Sequence, residues 1–354
     1  MTAWLQPLTR EKSLRPAEPG RWHSGLTKAL FFQFLLLLAL APLGCWAQAY
    51  PTKPITLVVP FAAGGPTDKI ARALAEGLRN QLPGASFIID NTPGAGGTNG
   101  TAKVARAPKD GHTLLITHIS IATTPWLYKN LKYKALEDFE YLGLINEVPM
   151  TIIGRPGLPP QNLAELTPWI TTNSRRVNLA HAGLGSASHL CGLLLQQGLG
   201  IDLTTIPYGG TGPAMAAMLN DQVDLMCDQA TNTVDQIASG AVRAFGVTAD
   251  QRITTSPALA NLPTLNESGL EGFKITIWCG LYAPKDTPKA ITSRLNQALK
   301  ALLADPVFIK NQAAVGAVSI RDNRSNSVEH RKFVEAETLR WGKIIKNSGQ
   351  KHID

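Results

Sequence analysis

The sequence predicts an α/β protein of two doubly wound lobes joined by a pair of strand-like crossings. Three observations lead there. From residue 50 onward, apolar runs of strand length alternate with amphipathic helical stretches. The alternation occurs in two separate blocks, and two apolar, strand-like segments, residues 141–155 and 273–284, stand where the blocks meet. A length of 354 residues suits two domains with real cores.

In the first block, residues 55–59 read as a buried strand. Residues 68–78 read as a helix with Ile70, Leu74 and Leu78 on one face, 87–89 as a strand, 98–106 as a helix and 113–117 as a third strand. This order argues for a parallel sheet. In the second block, strands at 177–180, 204–207, 223–227 and 244–248 alternate with helices through 190–195, 214–219 and 234–239. The chain is expected to cross twice, so that helices near 288–303 and 326–345 return to the first lobe. The expected division is 50–150 and 276–354 for that lobe and 151–275 for the second.

Residues 1–49 read as an address. Lys28 precedes an apolar stretch, 29–43, followed by Ala47-Gln48-Ala49 and Tyr50. This is the pattern of a secretory signal peptide cleaved after Ala49, and the stretch falls short of the about 20 residues of a membrane span. A lipoprotein site at Cys45 is the alternative. Export places the mature chain in the periplasm. Cys191, Cys227 and Cys279 remain after cleavage, without zinc-site spacing. The expectation is three buried free thiols, with one disulfide as the alternative in an oxidising compartment.

A net charge of +8, with 44% hydrophobic and 17% charged residues, marks a folded protein. Part of the charge, Arg10, Lys12, Arg15, Arg21 and Lys28 against Glu11 and Glu18, lies in the removed segment. No Lys/Arg cluster with interleaved aromatics supports nucleic-acid binding.

Ligands of open parallel sheets bind beyond the carboxyl ends of the strands, so the loops there carry the functional reading. After the first strand come Phe61-Ala62-Ala63-Gly64-Gly65-Pro66-Thr67-Asp68, where Pro66 suits a helix start and Thr67 or Asp68 can cap it. After the second come Gly94-Ala95-Gly96-Gly97-Thr98. Each glycine-rich loop enters a helix whose free N–H groups suit an anion. His118 and Ser120 end the third strand; His118 is either a cleft residue or a structural histidine. The second lobe offers Ser186, Ser188 and His189, then Tyr208, Gly210 and Thr211, then Asp228 and Gln229. Trp278 is either an aromatic wall of the cleft or plain core. No arginine occurs in these loops, so a carboxylate would be held by helix starts and neutral donors.

Other chemistries lack their signatures. Asn99 stands where a dinucleotide fingerprint needs its third glycine, and no G-K-[ST] is present. No G-x-S-x-G surrounds Ser186 or Ser188, and no H-E-x-x-H occurs. Neither catalysis, a cofactor nor a metal is expected.

The chain resembles the periplasmic solute-binding receptors of tripartite tricarboxylate transporters, the Bug family. The resemblance rests on Tyr50-Pro51-x-Lys53-Pro54-Ile55, Val59-Pro60-Phe61-Ala62-Ala63-Gly64-Gly65-x-x-Asp68, Gly94-Ala95-Gly96-Gly97, Pro108-x-Asp110-Gly111, Pro207-Tyr208-x-Gly210 and Leu281-Tyr282-Ala283-Pro284. It covers essentially the chain from Tyr50. It implies a type II periplasmic binding fold, monomeric, closing on a small carboxylate through the first two loops, partly through ordered water. It also implies delivery of the ligand to integral-membrane permease subunits. The segment 223–233, with Asp228-Gln229 and Thr231-Asn232-Thr233, is similar to a branch that includes amino-dicarboxylate (aspartate) receptors. Cys279 after Trp278, where that branch more often has histidine, and His112, where tyrosine is usual, depart from the pattern. A sensory receptor docking to a histidine kinase ectodomain is the alternative function, and an enzyme acting on a small carboxylate the third.

Overall fold

The computed structural model describes residues 50–349. The signal-peptide reading, cleavage after Ala49 and the alternative at Cys45 fall outside these residues. Among the described residues no helix is long and apolar enough to cross a membrane.

The chain opens with β1 (Ile55–Val59), α1 (Pro66–Gln81), β2 (Phe87–Asn91), α2 (Thr98–Ala105), β3 (Thr113–His118) and a single turn, α3 (Ser120–Thr123). β1 is apolar but for Thr56 and β-branched but for Leu57, and it is flanked on both sides by parallel partners, β2 and β3. Pro66 starts α1, and Ile70, Leu74 and Leu78 are buried on one face, as their spacing predicts.

The second set is α4 (Leu163–Asn173), β5 (Asn178–His181), α5 (Ala187–Leu199), β6 (Thr204–Pro207), α6 (Thr211–Leu219), β7 (Leu225–Gln229), α7 (Ala230–Ala238) and β8 (Arg243–Val247). β5 pairs in parallel with β6 and β7. The expected parallel pairing holds for β1 to β3 and for β5 to β7, whereas β8 pairs antiparallel with the crossing strand at residues 139–154.

Where the lobes join, parallel pairing does not hold either. β4 (Phe139–Gly154) and β9 (Thr276–Pro284) run antiparallel to each other, and β9 is also antiparallel to β3. Up to Pro149, β4 pairs with β9; from Met150 to Gly154 it pairs with β7 and β8. A chain that leaves a lobe and returns beside its own outgoing strand must run the opposite way, which reverses the direction here. Thr248 ties the two crossings together. Its hydroxyl accepts from Met150 N at 2.8 Å and donates to Ile275 O at 2.6 Å.

The chain ends with α8 (Lys289–Leu303), α9 (Pro306–Ala314), β10 (Val318–Ser319) and α10 (Ser327–Asn347). These helices pack against the first set. Asn296 on α8 donates to Leu142 O, and His330 on α10 accepts from Gly143 N at 3.0 Å. Besides the single turn α3, two helices escaped the sequence reading. α4 carries Pro168 in its interior, which weakens a helical pattern. α9 does announce itself, since Asp305 caps it through Val307 N ahead of Pro306.

The thiol expectation needs correction. Cys191 on α5 and Cys227 on β7 form a disulfide, their Cα atoms 6.0 Å apart, and Cys279 alone of the three is free and buried. Helix and strand are distant in sequence, and only their packing brings the sulfurs together.

Candidate ligand-binding cleft

Between the strand ends of the two lobes lies a narrow, nearly closed void of about 10 Å³. The first lobe contributes Phe61, Gly65, Pro66, Thr67 and His118. The second contributes Ala182, Ser186, Ala187, Ser188, Thr211, Asp228 and Gln229. Four helices begin here. Gly65 is the N-cap of α1, Ser186 of α5 and Gln229 of α7, while Thr211 is the first residue of α6. The first turn of a helix has amides without intrahelical acceptors, and its dipole is positive. None of the lining residues is a lysine or arginine. Positive character at the lining therefore comes from helix starts rather than from lysine or arginine side chains.

Asp68 builds the first loop without lining the void. Its Oδ2 accepts from Gly64 N at 3.0 Å and from Arg72 Nε at 2.9 Å, and its Oδ1 accepts from Asn91 Nδ2 at 3.1 Å. Burial alone would raise its pKa; Arg72, the Gly64 amide and Asn91 together hold it below the ordinary carboxylate value. This is the return half of a capping box, with the acid at the third helical position reaching back past the N-cap. Phe61 stacks on the His118 ring at 4.6 Å, and burial pushes His118 down to about 3, so this imidazole is neutral.

On the second lobe, Ser186 Oγ donates to Gly183 O at 2.6 Å and accepts from His189 N, closing the start of α5. Ser188 Oγ accepts from Ala182 N at 2.8 Å. Gln229 Oε1 is buried with no hydrogen-bond partner among the described residues, an unpartnered polar atom on a residue that lines the void. Beside it Asp228 accepts from Gln229 N at 2.8 Å and from Asn232 Nδ2. Burial raises the pKa of Asp228 to about 6.

The lobes touch around this void. Ala62 N donates to Gly209 O at 3.2 Å, Thr123 Oγ1 to Gly185 O at 2.7 Å, and the Tyr128 hydroxyl to Leu184 O at 3.1 Å. Lys69 pairs with Asp235 at 3.4 Å.

Of the sequence candidates, Phe61, Gly65, Thr67, His118, Ser186, Ser188, Thr211, Asp228 and Gln229 line the void. Ala62, Ala63 and Gly210 meet at the contact between lobes. Gly64 at φ +79 gives its amide to Asp68. Gly96 faces Leu184 O of the other lobe, and Gly97 faces the Phe61 ring. Thr98 lines a separate pocket with Asn99 and Tyr128. Ser120 is held by Thr117, and His189 packs on His181 with its Nδ1 accepting from Gly185 N. Tyr208 packs against the second lobe's small core. Trp278 is not in the cleft. Its indole donates to Glu337 Oε2 at 3.1 Å and meets Phe333 edge-on. Pro66, Ala182 and Ala187 were missed. Pro66 and Ala187 are the first residues of α1 and α5, so a helix start was the available signal.

The sequence profile of the tripartite tricarboxylate transporter family receptor matches residues 70–350. The chain belongs to this family. It is a solute-binding receptor, and its relatives agree. The structure of the periplasmic binding protein BugD is 47% identical, with a TM-score of 0.82 over 86% of this chain and 100% of that one. MatC from Rhodopseudomonas palustris, solved with bound malate, is 36% identical, with a TM-score of 0.78 over 84% of this chain and 100% of that one. The protein in the TAR-I ttuE-ttuC' intergenic region of Agrobacterium vitis is 42% identical over 90% of this chain and 92% of its own. The receptor has the two-lobed α/β fold of periplasmic binding proteins.

Proposed function

We propose that the receptor is exported to the periplasm, closes as a monomer on a small carboxylate and delivers it to integral-membrane permease subunits. The observation that carries this reading is the convergence of four helix starts on one void without a cationic side chain. Hydrogen bonds to a charged group contribute roughly 1.5 to 3 kcal/mol each. A micromolar affinity corresponds to about −8 kcal/mol, so several amides and hydroxyls suffice after ordering costs. The malate in MatC supports the ligand class.

Asp228 narrows that class. A buried carboxylate beside an anion's site is repulsive unless it is protonated or faces a cation. An α-ammonium group supplies that cation, so we assign the ligand as an amino dicarboxylate such as aspartate. In this reading the carboxylates lie against the helix starts and the ammonium against Asp228.

Mass spectrometry of ligand released from protein purified from its native host tests the assignment, followed by calorimetry with L-aspartate and L-malate. Recovery of a carboxylate, with aspartate binding more tightly than malate, is the expected result. A neutral or cationic ligand would overturn the reading of the cleft.

A further inference from the structure

Two glycines of the second lobe owe their lack of a side chain to the first. Gly210 has φ 171 and ψ 169, extended backbone that any residue adopts. A Cβ there would nevertheless lie 2.9 Å from Ala62 N and 3.1 Å from Ala62 Cβ. Gly212 sits in the first turn of α6, where alanine is the better helix former. A Cβ on Gly212 would lie 2.8 Å from Ala63 O and 3.3 Å from the carbonyl carbon of Gly64. At both positions the nearest atoms belong to the opposite lobe. The two glycines flank Thr211, which lines the void.

We propose that Gly210 and Gly212 are closure and size determinants: they let the lobes meet beside Thr211 and so favour ligands short enough to be fully enclosed. The proposal rests on the reading of the cleft as a carboxylate site. Its physical content is steric. Contacts under 3.0 Å to backbone are repulsive, and the loop 62–64 cannot yield easily because Asp68 pins Gly64 N. A methyl group at either position therefore holds the lobes apart. An anion in a cleft held ajar keeps the donors of one lobe and loses those of the other. A long ligand already separates the lobes and depends less on this contact.

The test is the double variant Gly210→Ala/Gly212→Ala in the full chain. It combines thermal unfolding without ligand, calorimetry with L-aspartate, L-malate and adipate, and small-angle scattering. The expected unliganded Tm equals or exceeds that of the wild type, because neither backbone conformation is strained by alanine. Affinity for the preferred four-carbon ligand should fall at least tenfold, its preference over adipate should narrow, and the contraction on binding should shrink. Four-carbon affinity within threefold of wild type overturns the proposal, as does a loss of affinity accompanied by loss of unliganded stability. If the wild type binds none of the three probes, the ligand assignment fails, and scattering alone decides about the contact. On addition of the native ligand recovered by mass spectrometry, the variant must then contract less than the wild type, and an equal contraction overturns the proposal.

Discussion

Asp68 and Arg72 stand one helical turn apart on α1, joined by two hydrogen bonds of 2.9 and 3.1 Å, and the same aspartate oxygen that takes Arg72 Nε also takes the amide of Gly64. Arg72 is more than half exposed, while Asp68 is buried. The guanidinium thus acts on the cleft only through the carboxylate that shapes the loop. Asp68→Ala should weaken ligand binding by tenfold or more. Arg72→Ala should cost a few-fold, since exposed ion pairs contribute little. Calorimetry ranks the two, and the reverse order would show a direct contact between Arg72 and the ligand.

Asp228 makes both stability and binding depend on pH. Burial raises its pKa from 3.8 to about 6, so the folded chain holds this proton more tightly than the unfolded chain does. The associated stability is complete below pH 4 and is lost as pH rises through about 6. Two pH units correspond to about 3 kcal/mol at most. Without ligand, Asp228→Asn should gain stability relative to wild type between pH 4 and 7, measured by denaturant titration at each pH. Aspartate binding by the wild type should weaken below about pH 6 as the ammonium loses its partner. In Asp228→Asn the preference of aspartate over malate should vanish. Unchanged selectivity would remove Asp228 from the site.

The Cys191–Cys227 bond predicts a thiol count. Labelling denatured, unreduced protein that begins at Tyr50 should find one free cysteine, Cys279. A closed loop spanning a separation of 36 residues implies a stabilisation of about 4 kcal/mol from the unfolded chain's lost freedom. The Cys191→Ala/Cys227→Ala variant should lose a comparable amount in urea unfolding. Three labelled thiols would return the reading to the unpaired alternative.

Trp278 provides a control away from the cleft. Glu337 Oε2 accepts from both Trp278 and Trp341, each at 3.1 Å, while Arg340 contacts the same carboxylate. Trp278→Phe removes one donor from a nearly buried acceptor, which costs roughly 1 to 3 kcal/mol. Unfolding midpoints should fall while ligand affinity stays constant. A loss of affinity with unchanged stability would place Trp278 in the binding apparatus after all.

What the sequence determined by itself is local. Periodicity marked α1, because burial of one helix face follows directly from side-chain spacing, and an unbroken apolar run marked the buried strand β1. Glycine followed by a helix start marked the loops at 60–68 and 182–189, and the missing arginine in them is the sequence feature on which the proposal of a backbone-amide site rests. The tertiary structure decided everything that depends on distance between elements far apart in the chain. It paired Cys191 with Cys227, reversed β4 against β9, sent Trp278 to Glu337 and brought Asn91 to Asp68. The glycines show the boundary most clearly. Gly64 has a positive φ that a loop signature can suggest, whereas Gly210 and Gly212 have ordinary backbone. The need for glycine at these two positions comes from Ala62 and Ala63 on the other lobe, and that approach exists only once the two crossing strands bring the lobes face to face.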